Sequence, residues 1–345
     1  MEFKENNSAV NSEKIVALWA FTEAFLGGLL HAAKIPFTGL IIGSFALLYI
    51  SLLSYFNHRK GQIIQAAIIV ILVKMLISPY TPVMAYFAVF YQGVLGELFF
   101  ISKRFKPINC FILGLVFSIL SSIQKILTLT LIFGMTFWES IDSFLNYAMN
   151  EVSIIKLNGV KYSYYIVGLY FLVHLIIGIA SGIFSIKFIK NLSSNLSNPE
   201  YKIIIENEDI LKEYNLFDKK KKKRFKVAKI IIYLFLIFLL LISYFAPEKI
   251  NISPDSILIM IIRGFIIILI WFKFLSPFII KIVKKIFNKK NSKYSRSIEN
   301  VVNILPLIKL IALKSWKLSS KMNGIKKFIY FIKLSIINLL LFKQT

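Results

Sequence analysis

Ionisable side chains are sparse inside the apolar runs of this 345-residue chain, and each one there calls for a reason. A charge in hydrocarbon is costly unless it is paired, so an intramembrane ionisable residue marks a functional-site candidate. The stretch Lys74–Glu97, KMLISPYTPVMAYFAVFYQGVLGE, stands out. It is broken at Ser78-Pro79-Tyr80-Thr81-Pro82, where two prolines end or kink a helix, and it carries no charge between its end residues. Glu23, His31 and Lys34 lie in or just after the first apolar run, and Gln92 and Glu97 in the fourth. Gln124 and Lys125 belong to the fifth and His174 to the sixth. Cationic groups (His31, Lys34, Lys74, Lys125) and aromatic groups (Tyr80, Tyr86, Trp138), with Gln92, would suit a small anionic molecule in an outward-opening cavity. Ammonium groups would pair its carboxylate or phosphate, and rings would stack on its body. The alternative for each lysine is snorkelling to the interface, and for His174 an interhelical hydrogen bond. Glu23 is expected to pair with a Lys or His inside the bundle, or to be protonated.

Covalent chemistry finds little support. No phosphate loop, H-E-x-x-H, G-x-S-x-G or paired-aspartate motif occurs, so no catalytic residues are assigned. The single Cys110 excludes a disulfide framework, and no Cys/His spacing suits a metal. An enzyme acting on a lipid or polyprenyl substrate, with Glu23, Glu97 or Glu139 as base, stays open as an alternative. So does a membrane scaffold for a cytoplasmic partner. No cofactor is expected in this chain.

The elements that must position these groups follow from composition. The chain is 57% hydrophobic and 15% aromatic, with mean hydropathy +0.71, against about 45–50% apolar in ordinary soluble domains. It reads as an all-α polytopic membrane protein. Net charge is +25, concentrated between apolar runs and in the second half, so the positive-inside rule accounts for it without nucleic acid. Six runs are long enough to span: Ile15–His31, Gly39–Phe56, Gln62–Ser78, Pro82–Ile101, Ile108–Phe133 and Tyr164–Ile186. The first is expected to be a retained span, since Met1–Lys14 holds Glu2, Glu5 and Glu13 and lacks the basic region of a signal peptide. Basic clusters follow spans two, four and six, whereas Gly134–Ser163 carries Glu139, Asp142 and Glu151 against Lys156 and Lys161. Residues 1–190 are therefore expected to form a six-helix bundle with both ends cytoplasmic.

The rest divides by composition. Residues 191–226 are a polar, then polybasic, cytoplasmic linker ending in six consecutive basic residues, Lys219–Arg224. Residues 227–280 hold two more spans, Val227–Phe245 and Ile257–Ile280, the second interrupted by Arg263 and Lys273. Residues 281–345 are basic and amphipathic, cytoplasmic or interfacial. Ile298–Leu318 has apolar residues near helical spacing with Lys309, Lys314 and Lys317 between them. Pro306 is expected to bend that helix or start a new one. Asn323-Gly324 is a break, and Phe328–Phe342 is expected to lie in the membrane plane.

The first span carries Ala20-x-x-x-Ala24, followed by Gly27-Gly28; small residues at this spacing let helices approach closely. With the six-span topology, this motif resembles the substrate-binding S component of energy-coupling factor (ECF) transporters. The resemblance covers residues 1–190. It implies that Ala20 and Ala24 dock a scaffolding membrane subunit, that Ala32–Thr38 gates the solute, and that separate ABC-type ATPase subunits hydrolyse ATP. The C-terminal half is weakly similar to the scaffolding T component, but its Ala-Arg-Gly motifs are absent; Lys321-Met-Asn-Gly324 is a degenerate echo. The resemblance thus implies the substrate-binding part of an ATP-energised uptake system for a vitamin or other small metabolite. It would reside in the cell membrane, with its N-terminus and basic C-terminal region cytoplasmic.

Overall fold

The computed structural model describes residues 12–33, 35, 37–56, 59–78, 81–101, 105–152, 160–195, 255–278, 281 and 293–342. Nearly all of these are helical, and no strand occurs among the described residues. The first apolar run forms α1 (Ser12–Phe21), a π-helical turn (Thr22–Leu26) and α2 (Gly27–Ala32). The next runs form α3 (Thr38–Phe56), α4 (Gln62–Ile77), α5 (Val83–Phe99) and α6 (Pro107–Phe133). Then come α7 (Thr136–Val152), α8 (Tyr162–Asn195) and α9 (Asp255–Ile270), the last continuing into a π turn at Trp271–Leu275. The chain closes with α10 (Lys293–Ser319) and α11 (Gly324–Leu341).

Four stretches are long and apolar enough to cross a membrane: Ser12–His31, Thr38–Phe56, Pro107–Phe133 and Tyr162–Leu192. Gln62–Ile77 and Val83–Phe99 are apolar but shorter. This is the signature of a membrane protein. The expected span Val227–Phe245, the run Lys219–Arg224 and most of the 191–226 linker lie outside the described residues.

Two compact units make up the chain. The first draws on Met1–Ser118, Gly178–Lys221 and Val283–Thr345, and the second on Ile119–Ile177 and Lys222–Ile282, so the divisions fall inside α6 and α8. In the first unit α4 packs on α5 and α1, and α3 on α1 and α5. Glycine permits this closeness on α5: a Cβ on Gly93 would strike the Ala67 Cβ, and one on Gly96 would lie 2.7 Å from Ile50 Cγ2. On α8, Gly178 and Gly182 let the backbone meet α6 within van der Waals range; a Cβ on Gly114 would stand 3.0 Å from the Gly178 carbonyl oxygen.

α10 and α11 pack on each other, and α10 also packs on α1 and α4. Its Ile298, Val301, Leu305, Ile308 and Ile311 are buried in the same core as Ile15, Ala17, Trp19 and Val70. Glu13 and Lys14 secure the arrangement: Asn300 donates to Glu13 Oε1 at 3.0 Å, and Lys14 Nζ donates to the Leu340 carbonyl at 3.1 Å and to that of Phe342. A cation on the last carbonyls of a helix is favourable for the unpaired acceptors and for the dipole. Pro306 starts no new helix; α10 runs through it, held by buried Leu305, Leu307 and Ile308 on either side. Packing thus offsets the one backbone hydrogen bond proline removes. Gly324, with φ of 61°, makes the break into α11 where Asn323-Gly324 was expected.

The second unit adds an element where a loop was expected. Residues 136–152 form α7, apolar on one side through Phe137, Ile141, Phe144 and Leu145. Asp142 anchors it to the start of α8, accepting from Ser163 N at 2.6 Å and Ser163 Oγ at 2.9 Å. That is a helix N-terminus capped from a neighbouring helix.

Candidate functional site: a buried ion pair beside a π turn

Lys74 is in the last turn of α4, and Glu23 is in the π turn that follows α1. Lys74 Nζ donates to Glu23 Oε2 at 2.6 Å, with the two side chains 4% and 3% exposed. Both charges are out of solvent and compensate each other. A π turn inside a helix carries an extra residue in its wider ring, and such turns concentrate at functional sites. Here it sets the local register of Glu23.

Polar groups gather around the pair. Thr22 Oγ1 and Tyr49 Oη are hydrogen-bonded at 2.9 Å in the buried interior. Lys74 Nζ stands 6.0 Å from the Tyr86 ring centroid, at the outer range of a cation–π contact. Tyr86 Oη in turn donates to the Ser78 carbonyl at 3.2 Å, and Thr81 Oγ1 to the same carbonyl at 2.8 Å, tying α5 to the break after α4. Three buried polar atoms near these elements have no hydrogen-bond partner: Trp19 Nε1, Tyr91 Oη and Gln92 Oε1. Gln92 is 3% exposed, and its Nε2 faces Gly43 of α3. Buried polar atoms are nearly always satisfied, so each of these three positions calls for a polar partner.

Glu97 has a separate task. Its Oε1 accepts from Gly61 N at 2.5 Å and its Oε2 from Ile63 N at 3.0 Å, so it caps the first turn of α4. Lys74 is twelve residues past Gln62, roughly 18 Å along the helix at 1.5 Å per residue. Glu97 and Glu23 are therefore too far apart to act as an acid–base couple. Glu139 is exposed on α7 in the second unit.

Of the residues singled out by sequence, the structure brings Lys74 and Tyr86 together beside Glu23, while Gln92 is buried in the same unit against Gly43. His31 is exposed at the end of α2. Lys34 and Tyr80 lie outside the described residues. Lys125, exposed, and Trp138, whose Nε1 donates to Thr130 Oγ1 at 2.9 Å, belong to the second unit. That unit also holds His174, whose Nδ1 is 2.9 Å from the Tyr170 carbonyl, and an open groove of about 420 Å³ lined by Phe137, Ile141, Phe144 and other largely apolar residues. Ala20 and Ala24 are buried within the first unit, at 0% and 4% exposed, and α1 packs on α10 of the same chain. Thr22, Tyr49, Tyr91 and Trp19 escaped the sequence reading; a hydroxyl or indole inside an apolar run is an ordinary amphipathic residue until its neighbours are known.

Compared with known proteins, the chain matches no family model, no curated protein and no solved structure.

Proposed function

We propose that this chain is a membrane transport protein, the solute-binding part of an ATP-energised uptake system for a small metabolite. The observation that carries this reading is the Glu23–Lys74 pair, enclosed among apolar helices and set by a π turn. A buried ion pair adds little stability over well-packed hydrophobic residues, so its presence at membrane depth favours a role in recognition or switching. Residues 1–190 then form a six-span module with both ends cytoplasmic, in keeping with the likeness to ECF S components, and the chain is multi-pass in the cell membrane.

Partner ATPases would supply the energy, and α10–α11 offers them a surface. Around their junction Trp316, Met322, Ile325 and Phe328 are exposed, interspersed with Lys317, Lys321 and Lys326. No acidic residue occurs from Asn300 to Thr345. Because α10 packs on both α1 and α4, a force at this surface reaches the two helices next to the pair. The docking role that the resemblance gives Ala20 and Ala24 is filled, on this reading, inside the chain. With Glu97 engaged as a helix cap and Glu23 held by Lys74, the alternative of a lipid-modifying enzyme would rest on Glu139, exposed on α7, as its base.

The test is a pull-down of the tagged chain from native membranes in mild detergent, read by mass spectrometry. Recovery of one or two ABC-type ATPases, lost on Lys317→Glu/Lys321→Glu/Lys326→Glu, is expected. A clean preparation that retains its fold yet brings down no ATPase overturns the mechanism.

A further inference from the structure

We propose that the Glu23–Lys74 pair is the recognition site for a small zwitterion, a solute bearing an ammonium group and a carboxylate, of which an α-amino acid is the simplest. The inference rests on the solute-binding reading above and names the class of solute. It revises the expectation of an anionic molecule, which treated Lys74 as a free cation.

Charge balance drives the assignment. Lys74 is already neutralised by Glu23 at 2.6 Å, and both side chains are about 96–97% buried. An anion that captured Lys74 would leave Glu23 as an uncompensated buried carboxylate, and a cation that captured Glu23 would strand Lys74. Either outcome is strongly destabilising in a water-excluded interior. A zwitterion avoids both, because its carboxylate takes Lys74 while its ammonium takes Glu23. One ion pair becomes two and the net charge of the site is unchanged. The hydrogen-bond chemistry agrees: an ammonium only donates and a carboxylate only accepts, so each end of the solute matches one member of the pair. Tyr49, whose hydroxyl is hydrogen-bonded to Thr22 next to Glu23 in the chain, is uncharged as a phenol and supplies no competing charge. The π turn supplies the movement: shifting its extra residue along the helix re-aims Glu23 without unfolding α1.

The experiment compares ligand classes on the full-length protein in lipid nanodiscs by thermal unfolding. The probes are L-alanine, L-leucine and L-phenylalanine. Each is run beside its carboxylate-only analogue (propanoate, 4-methylpentanoate, 3-phenylpropanoate) and its amine-only analogue (ethylamine, isopentylamine, phenethylamine). At least one amino acid should raise the unfolding temperature by about 5 °C at one hundred times its Kd, with neither analogue matching it. The doubly neutral variant Glu23→Gln/Lys74→Met should lose the shift. Stabilisation by a carboxylate-only analogue equal to that of its amino acid overturns the proposal, as does no effect from any of the three amino acids. Zwitterion binding with no ATP-driven uptake into proteoliposomes that also hold the co-purified ATPase subunits refutes transport alone. Energised uptake of a purely anionic or uncharged solute, without zwitterion binding, refutes this proposal alone.

Discussion

Removing one charge of the Glu23–Lys74 pair should harm the protein far more than removing both. At 2.6 Å the Coulomb attraction is about 6 kcal/mol for an effective dielectric constant near 20. Most of that is spent on taking two ions out of water, so the net worth of the pair is small. Truncating a single partner removes the attraction and leaves the other charge buried. Glu23→Gln and Lys74→Met alone should each cost about 3–5 kcal/mol. The double variant, of similar volume and without charge, should come within about 2 kcal/mol of the parent. The coupling between the two positions is then at least about 4 kcal/mol, above the range usual for neighbouring residues. Reversible unfolding in mixed micelles with increasing sodium dodecyl sulfate, followed by tryptophan fluorescence, gives all four stabilities. Additive single effects of under about 1 kcal/mol each would mean that the two side chains do not meet in a water-excluded interior, and would sink the reasoning.

Glu97→Ala should orphan the Gly61 and Ile63 amides at the start of α4 and cost about 2 kcal/mol, seen as faster hydrogen exchange over 61–66 with slower change elsewhere. Gly93→Leu should force α4 and α5 apart against Ala67 and cost about 1–3 kcal/mol, read as a lowered unfolding temperature; an unchanged value would mean that the helices do not touch there. Asp142→Ala should free the N-terminus of α8 from α7, costing about 1 kcal/mol and opening the chain to limited proteolysis near Ser163. Deleting Lys293–Thr345 should expose the faces of α1 and α4 that α10 covers and sharply reduce the folded yield in membranes, whereas a dispensable peripheral tail would leave yield unchanged.

Helices in the first half were legible because length and hydropathy act locally. Apolar runs from Ile15 to Ile186 appear as helices whose ends fall within a few residues of the expected ones, apart from α8, which runs on to Asn195. Breaks at Ser78–Pro82 and Asn323-Gly324 follow from the backbone limits of proline and glycine, which need no tertiary context. α7 was missed for the converse reason. Its Glu139, Asp142 and Glu151 look like loop charge in a linear window, although Glu139 and Asp142 fall on the side of a helix away from Phe137, Ile141 and Phe144.

By itself the sequence determined that this is a helical membrane protein with sparse buried charge, because the energetic cost of that charge in hydrocarbon is a property of residue type and surroundings. It also marked Glu23, Lys74 and Gln92 as candidates. Only the tertiary structure decided that Glu23 pairs with Lys74, fifty-one residues away, since His31, Lys34 and Lys125 were equally eligible partners on paper. Nor could a local pattern show that Glu97 caps α4, or that the basic C-terminal helices pack on α1 and α4. Partner choice depends on helix packing, which here turns on Gly93, Gly96 and the π turn at Thr22–Leu26. The meaning of a buried charge is set by the one group within 3 Å of it, and sequence distance carries no information about which group that is.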